Sequence, residues 1–538
     1  MVDEKRVKSE VVGRVLERVR ARAALDGGRP VEEVVNETLY QERERLKRSR
    51  LERAESDRAF YARVQRELPK IAPVGQTKLL KEVIERYAAE ICGHFDERVY
   101  TVTTRALPTA LNLLLTSLSP QRVLRELSVL SNLDEHLVLE GEIESLKALE
   151  KLGTVVLVPT HSSNFDSVLM GYAIFRMGLP PVTYGAGLNL FSNPIIGFFM
   201  RHLGAYTVDR LKTDPLYRET LKEYTTVVLE EGQDLLFFPG GTRSRSGAVE
   251  RHLKKGLLGC ALAAYRNNLA RQKSEPNVFL VPATLSYPLV LEASTLIDDY
   301  LAETGRHRYI IIDDEFSRWQ RWMAFLRGLI EMDLRIHLRV GRPLDPFGND
   351  VDLAGRSLDP KGRPLDPSKY LENGAGELVD DPRRDAEYTK ALSARIVGSF
   401  RANNVVQPTH VVAFAVFELL RRAHPGMDLY RLLRTVNDDL SLAQADVERE
   451  VERLLGEIAT LARDGKLERS SSVAESDVAE VLRQALRSFG TYHTQPVIER
   501  RGVRLHPGDP RLIFYYRNRL EGYGLLGAPD LVPSRREP

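Results

Sequence analysis

The sequence predicts an α/β protein: a mostly parallel sheet flanked by helices, with helical regions on its N- and C-terminal sides. Three observations carry this reading. Between residues 150 and 342 short apolar runs alternate with helix-spaced segments, the rhythm of successive β-α units. Residues 1–95 and 384–538 return to helical periodicity. The 538 residues are 43% hydrophobic and 28% charged, enough apolar material for more than one core.

The elements follow in order. Residues 1–95 form a charged helical region. Its segment 41–58 (QERERLKRSRLERAESDR) holds seven basic and five acidic residues and reads as a solvated helix with internal ion pairs, or as an arm that meets a membrane or a partner. Residues 96–149 lead into the core. In 150–342, strands are expected at 153–159 (GTVVLVP), 181–184, 205–208, 234–239 (DLLFFP), 278–285 (VFLVPATL), 309–312 and 334–340. Helices are expected at 215–231 and 253–266. Residues 343–383 are rich in Pro, Gly and Asp, with GRPLDP at 341–346 and again at 362–367, and read as a connector whose repeat is turn chemistry. Residues 384–538 form a helical C-terminal region, with a short strand-containing end a further expectation.

Composition excludes several function classes. Lys+Arg is 77 and Asp+Glu is 75, a formal net charge of +2, which argues against a nucleic-acid partner bound over a broad basic face. Cys92 and Cys260 show no paired spacing and read as buried small residues. The first twenty residues lack the apolar run of a secretory signal, and no stretch reaches the length of a spanning helix. A protein lying on a bilayer stays open. Segment 316–330 (FSRWQRWMAFLRGLI) carries Trp319 and Trp322 among arginines, the composition of an interfacial helix or of a core helix.

Four segments carry chemistry. The strand at 153–159 runs into Thr160-His161-Ser162-Ser163-Asn164-Phe165-Asp166. A histidine and an aspartate five positions apart meet only if the loop turns before the helix begins. If they meet, Asp166 accepts from one imidazole nitrogen and leaves the other as a neutral base; alone, the segment also reads as a helix cap with an incidental histidine. The second segment is Phe238-Pro239-Gly240-Gly241-Thr242-Arg243-Ser244-Arg245. Glycines admit close backbone approach and arginines hold phosphate, although a polar turn reads equally well. The third is 196–205 (IGFFMRHLGA), with Arg201 placed to reach an anion. The fourth is the strand 280–287, interrupted by Pro282.

Taken together, in this order and spacing, the four resemble the motifs of the glycerolipid acyltransferase superfamily: H-x-x-x-x-D at His161 and Asp166, a G-x-F-x-R-like block at 197–201, F-P-E-G-T-R-S at 238–244, and a V-P strand at 281–282. The long chain with helical flanks resembles the bacterial glycerol-3-phosphate acyltransferase branch. The resemblance implies transfer of a fatty acyl group from acyl-CoA or acyl-carrier protein to the sn-1 hydroxyl of glycerol 3-phosphate, without metal or cofactor, at the cytoplasmic face of the cell membrane. It assigns His161 as base and Asp166 as its orienting partner. Arg201, Gly241, Thr242, Arg243, Ser244, Arg245 and Pro282 become substrate-binding candidates. A helix N-terminus or a loop N–H near the first motif is expected to steady the oxyanion. The sequence departs from the pattern at Gly240, where the motif has glutamate. Acceptor identity stays open there: 1-acyl-glycerol 3-phosphate and dihydroxyacetone phosphate are alternatives, as is a non-catalytic lipid-binding scaffold.

Overall fold

A computed structural model describes residues 3–48, 54–93, 136–187, 204–304, 334–435, 440–491 and 495–525, with the single residues 99, 202 and 493. Its centre is a seven-stranded sheet in the order β1-β7-β6-β2-β5-β3-β4. The strands are β1 (Leu137–Gly141), β2 (Thr154–Pro159), β3 (Thr183–Gly187), β4 (Ala205–Val208), β5 (Leu235–Leu236), β6 (Val278–Ser286) and β7 (Ile336–Val340). Strands β2 to β6 run parallel. Strand β7 is antiparallel to β6, and β1 is parallel to β7. The sheet is thus mostly parallel, as its apolar runs predict for strands covered on both faces.

Alternation within β2 sends its side chains to two cores. Val155 and Leu157 pack with the helices Asp166–Arg176, Ala293–Thr304 and Pro408–Ala423. Val156 and Val158 pack with the helices Glu4–Ala23, Pro73–Ile91, Pro215–Glu230 and Lys255–Ala270. The N-terminal helices therefore cover one face of the sheet, joined there by the helix Pro382–Ala402, and the chain from 408 onward covers the other. Strand β1 extends that sheet to Leu137, upstream of the expected start at 150. The run 234–239 shortens to Leu235–Leu236 as a paired strand, because the chain leaves the sheet at Phe237 to build the loop described below. Expected strand 309–312, segment 316–330 with both tryptophans, and the second motif at 197–201 lie outside the described residues. Among the described residues no helix is long and apolar enough to cross a membrane.

The charged N-terminal segment is not a purely solvated helix. Arg45 is buried, pairing with Glu42 at 2.7 Å and Asp57 at 2.8 Å. Buried Lys212, from the sheet-forming region, reaches Glu90 at 2.5 Å and Glu42 at 3.6 Å. Arg14 and Arg18 pair with Glu223 on the helix Pro215–Glu230. These charges turn inward because each finds a carboxylate across the seam, which offsets its desolvation.

In the connector the repeat is turn chemistry. Asp345, Asp359 and Asp366, the aspartates of the three Leu-Asp-Pro triplets, each accept the backbone N–H two residues on, from Phe347, Lys361 and Ser368 at 2.8–3.0 Å.

Candidate active site

Because β6, β2 and β5 are adjacent and parallel, their C-terminal ends open side by side, where ligands collect in parallel α/β sheets. β2 delivers His161 and Asp166. β5 delivers Phe238 and the loop beyond it. β6 delivers Tyr287 and Glu292. β4, at the sheet edge, leads to Arg210.

The loop turns before the helix, so His161 and Asp166 meet. His161 Nδ1 lies 2.8 Å from Asp166 Oδ2, with the aspartate fully buried. The carboxylate accepts only, so Nδ1–H donates and Nε2 keeps its lone pair. Asp166 is a hub. Oδ2 also accepts the backbone N–H groups of Ser162 at 2.6 Å and Ser163 at 2.9 Å. Oδ1 accepts the Tyr287 hydroxyl. Tyr287 is held in turn by buried His410: its Nδ1 accepts the Gln407 N–H, so its Nε2–H donates to the Tyr287 carbonyl at 3.1 Å. Phe238 stacks on the His161 ring with centroids 4.1 Å apart and planes at 22°.

Buried carboxyl groups pin the rest of the first-motif loop. Glu250 accepts the His161 N–H at 2.8 Å. Glu292 accepts the Asn164 N–H at 2.9 Å and the Ser163 hydroxyl at 2.8 Å. The Phe165 N–H goes to Ser163 Oγ, and the Thr160 and Asp166 N–H groups go to backbone carbonyls. Every backbone N–H from 160 to 166 is therefore spent inside the fold. The expected oxyanion donor, a helix N-terminus or a loop N–H near the first motif, is therefore not one of these seven groups. These donors hold the loop.

Burial pushes the His161 pKa below 6.5; Asp166 opposes that shift, and Arg243 and Arg210 add to it. The imidazole is therefore neutral at pH 7, and protonation on acidification removes the base. The acid limb of kcat/KM is expected to have its midpoint below pH 6.5, with activity lost as pH falls through it. A pH–rate profile checks this, and a midpoint above 7 would contradict it.

The glycine-rich loop adds cations. Arg243 pairs with Glu292 at 3.3 Å and Arg245 with Glu303 at 2.8 Å. Two basic residues that the sequence reading missed join them. Lys254 lies against Gly241, where an added Cβ would come within 2.8 Å of its Nζ. Arg210 is exposed and feels the charges of Arg243 and Arg245. Among the described residues neither Lys254 nor Arg210 has a carboxylate partner. Partial desolvation and then like-charged neighbours depress the pKa of both, as expected where positive charge is left uncompensated for an anion.

The other predicted residues divide. Gly241, at φ +75°, supplies the turn, and its N–H is used by the Phe238 carbonyl. Thr242 is half-buried in the same loop. Ser244 is structural: its N–H donates to the His161 carbonyl at 2.7 Å and its hydroxyl to the Ala248 carbonyl at 2.7 Å. Pro282 is buried inside β6 opposite Val158. It packs within the sheet rather than in the polar cluster, because proline at that register still offers its carbonyl to the Gly341 N–H. Arg201 lies outside the described residues.

The C-terminal region completes the cluster. Asn518 donates to the Ser246 carbonyl at 2.9 Å. Buried Arg519 donates to the Leu285 carbonyl and to Asn404 Oδ1, both at 2.6 Å. Gly247, at φ +81°, sits so close to the Tyr515 carbonyl that a Cβ would lie 2.2 Å from its oxygen. Gly247→Ala is expected to cost about 1–3 kcal/mol from left-handed strain alone, with the collision adding to it. A drop of several degrees in the thermal midpoint would register it, and an unchanged midpoint would contradict the packing.

A family model described as Acyltransferase matches residues 141–286, the span from the end of β1 to the end of β6 that contains both halves of this site. Over this span the chain resembles the glycerolipid acyltransferase superfamily. The curated proteins it is similar to carry the name glycerol-3-phosphate acyltransferase. The protein of that name from Pseudomonas putida strain KT2440 is 26% identical over 400 residues, which cover 73% of this chain and 41% of the relative. The same-named protein of Ectopseudomonas mendocina strain ymp is 34% identical over 158 residues, 29% of this chain and 18% of the relative. That of Pseudomonas fluorescens strain Pf0-1 is 34% identical over 160 residues, 30% and 18% respectively. This chain thus spans less than half the length of those curated relatives.

Proposed function

We propose that this chain transfers a fatty acyl group from an acyl thioester, acyl-CoA or acyl-carrier protein, to the sn-1 hydroxyl of glycerol 3-phosphate. The observation that carries the reading is the placement of a neutral His161–Asp166 base beside a cluster of four cations, Arg210, Arg243, Arg245 and Lys254. The base suits a hydroxyl nucleophile, and the cations suit a phosphate on the same small acceptor. His161 Nε2 takes the hydroxyl proton as the oxygen attacks the thioester carbonyl. The imidazolium, steadied by Asp166, returns that proton to the departing thiolate when the carbon–sulfur bond breaks. The oxygen–carbon bond of the ester is the bond formed, and no acyl-enzyme is needed.

The acylated product is amphiphilic, which supports a site of action at the cytoplasmic face of a membrane; co-sedimentation with anionic lipid vesicles tests that part. An acceptor panel tests the reaction. Glycerol 3-phosphate is expected to turn over with a kcat/KM at least about tenfold above glycerol, because only the former engages the cations. Turnover of 1-acyl-glycerol 3-phosphate alone would overturn the acceptor assignment.

A further inference from the structure

The loop after β5 carries Gly240 at the position where the motif has glutamate. In the structure another carboxyl takes the space beside it. A Cβ built on Gly240 would lie 2.8 Å from Glu250 Cδ, 2.8 Å from Oε1 and 2.9 Å from Oε2. These separations are inside van der Waals contact, so a side chain at 240 and the Glu250 carboxyl exclude each other. The Gly240 backbone is not in the left-handed region, so occupancy of the space selects glycine there.

Glu250 does more than fill volume. Oε1 accepts the His161 backbone N–H at 2.8 Å, while Oε2 is buried and has no hydrogen-bond partner among the described residues. Burial pushes the carboxyl up to about 8, the His161 N–H opposing and Asp166 adding. Near pH 7 it is mainly a neutral acid, so it fixes the His161 backbone without placing a second full charge beside Asp166.

We propose that Glu250 supplies, from ten residues downstream, the carboxyl that position 240 lacks, and that it is a positioning residue for His161. This rests on the reading of His161 as the base. Positions 240 and 250 then form one unit: the site requires one carboxyl, and either position can deliver it. A glutamate at 240 starts from a Cβ already 2.8 Å from the present Oε1, so its own carboxyl can reach the same N–H once residue 250 is shortened.

The full chain is tested as wild type, Glu250→Ala, Gly240→Glu, the double variant Gly240→Glu/Glu250→Ala, and Glu250→Gln. Both kcat and acceptor KM are measured alongside the thermal midpoint. Glu250→Ala is expected to lower kcat by roughly 10- to 100-fold through a misplaced base, with acceptor KM changed by less than about threefold. Gly240→Glu alone is expected to lose at least as much, because the two side chains collide. The double variant is expected to recover most of the loss, since the pair is strongly coupled. Glu250→Gln is expected to stay within about threefold of wild type, because its amide oxygen accepts the same N–H. A double variant no better than the worse single variant, or an unaffected Glu250→Ala, would overturn the proposal. If wild type turns over no acyl thioester, the functional reading fails by itself. The thermal midpoints then decide the shared carboxyl position: recovery in the double variant supports it, and additive loss overturns it.

Discussion

His161→Ala is expected to lower kcat for acyl transfer by roughly 10²–10⁴-fold, the usual contribution of a positioned general base. Nδ1–H is committed to Asp166, so Nε2 is the nitrogen that would take the acceptor proton in the proposed reaction. The residues around it offer no ready substitute. Asp166 is saturated by four donors, and Glu250 and Glu292 are each engaged with the loop backbone. Acceptor KM is expected to change little, because the cations proposed to hold the phosphate are on other elements. Steady-state rates with glycerol 3-phosphate check this. A fall below about threefold would remove His161 from the role of base.

Asp166 is expected to separate charge from structure. In Asp166→Asn the amide oxygen can take the place of Oδ2 and accept the three N–H donors, while the amide N–H₂ faces the Tyr287 hydroxyl, which can accept. The fold and the imidazole tautomer survive, but the imidazolium formed during the reaction loses its counter-charge. The expected result is a kcat loss of roughly 10²-fold or more with a thermal midpoint near wild type. Asp166→Ala leaves two backbone N–H groups, the imidazole N–H and the Tyr287 hydroxyl without their acceptor. At about 1–3 kcal/mol for each buried orphan, the stability loss should exceed about 3 kcal/mol. Equal midpoints for the two variants would contradict the hub geometry.

Most of the sheet was legible because its strands are apolar runs bounded by turn residues: 205–208 and 154–159 need no tertiary information. β1 was harder to read, since Leu137–Gly141 (LVLEG) is a short edge strand with a half-buried face. The His161–Asp166 pair and the cationic loop were legible as motifs. The groups that hold them were not. Tyr287 is the last residue of the fourth segment, yet nothing in the sequence says that its hydroxyl reaches Asp166 across 121 residues. Glu250, Lys254 and Arg210 join the site only because β4, β5 and the helix at 255–270 converge there. Segment 41–58 was misread for the same reason: its charges looked solvated until Lys212 supplied a buried partner from another region.

The most direct test of the central claim is thiol release in a single turnover, with enzyme in excess over acyl thioester. Direct transfer to an acceptor activated by His161 predicts thiol release only when glycerol 3-phosphate is added, in equal amount to the acylated product, and with no acyl group left on the protein. His161→Ala should then release thiol at least about 10²-fold more slowly. A burst of thiol without acceptor, with the acyl group retained on the protein, would contradict the account, as would an undiminished rate in His161→Ala.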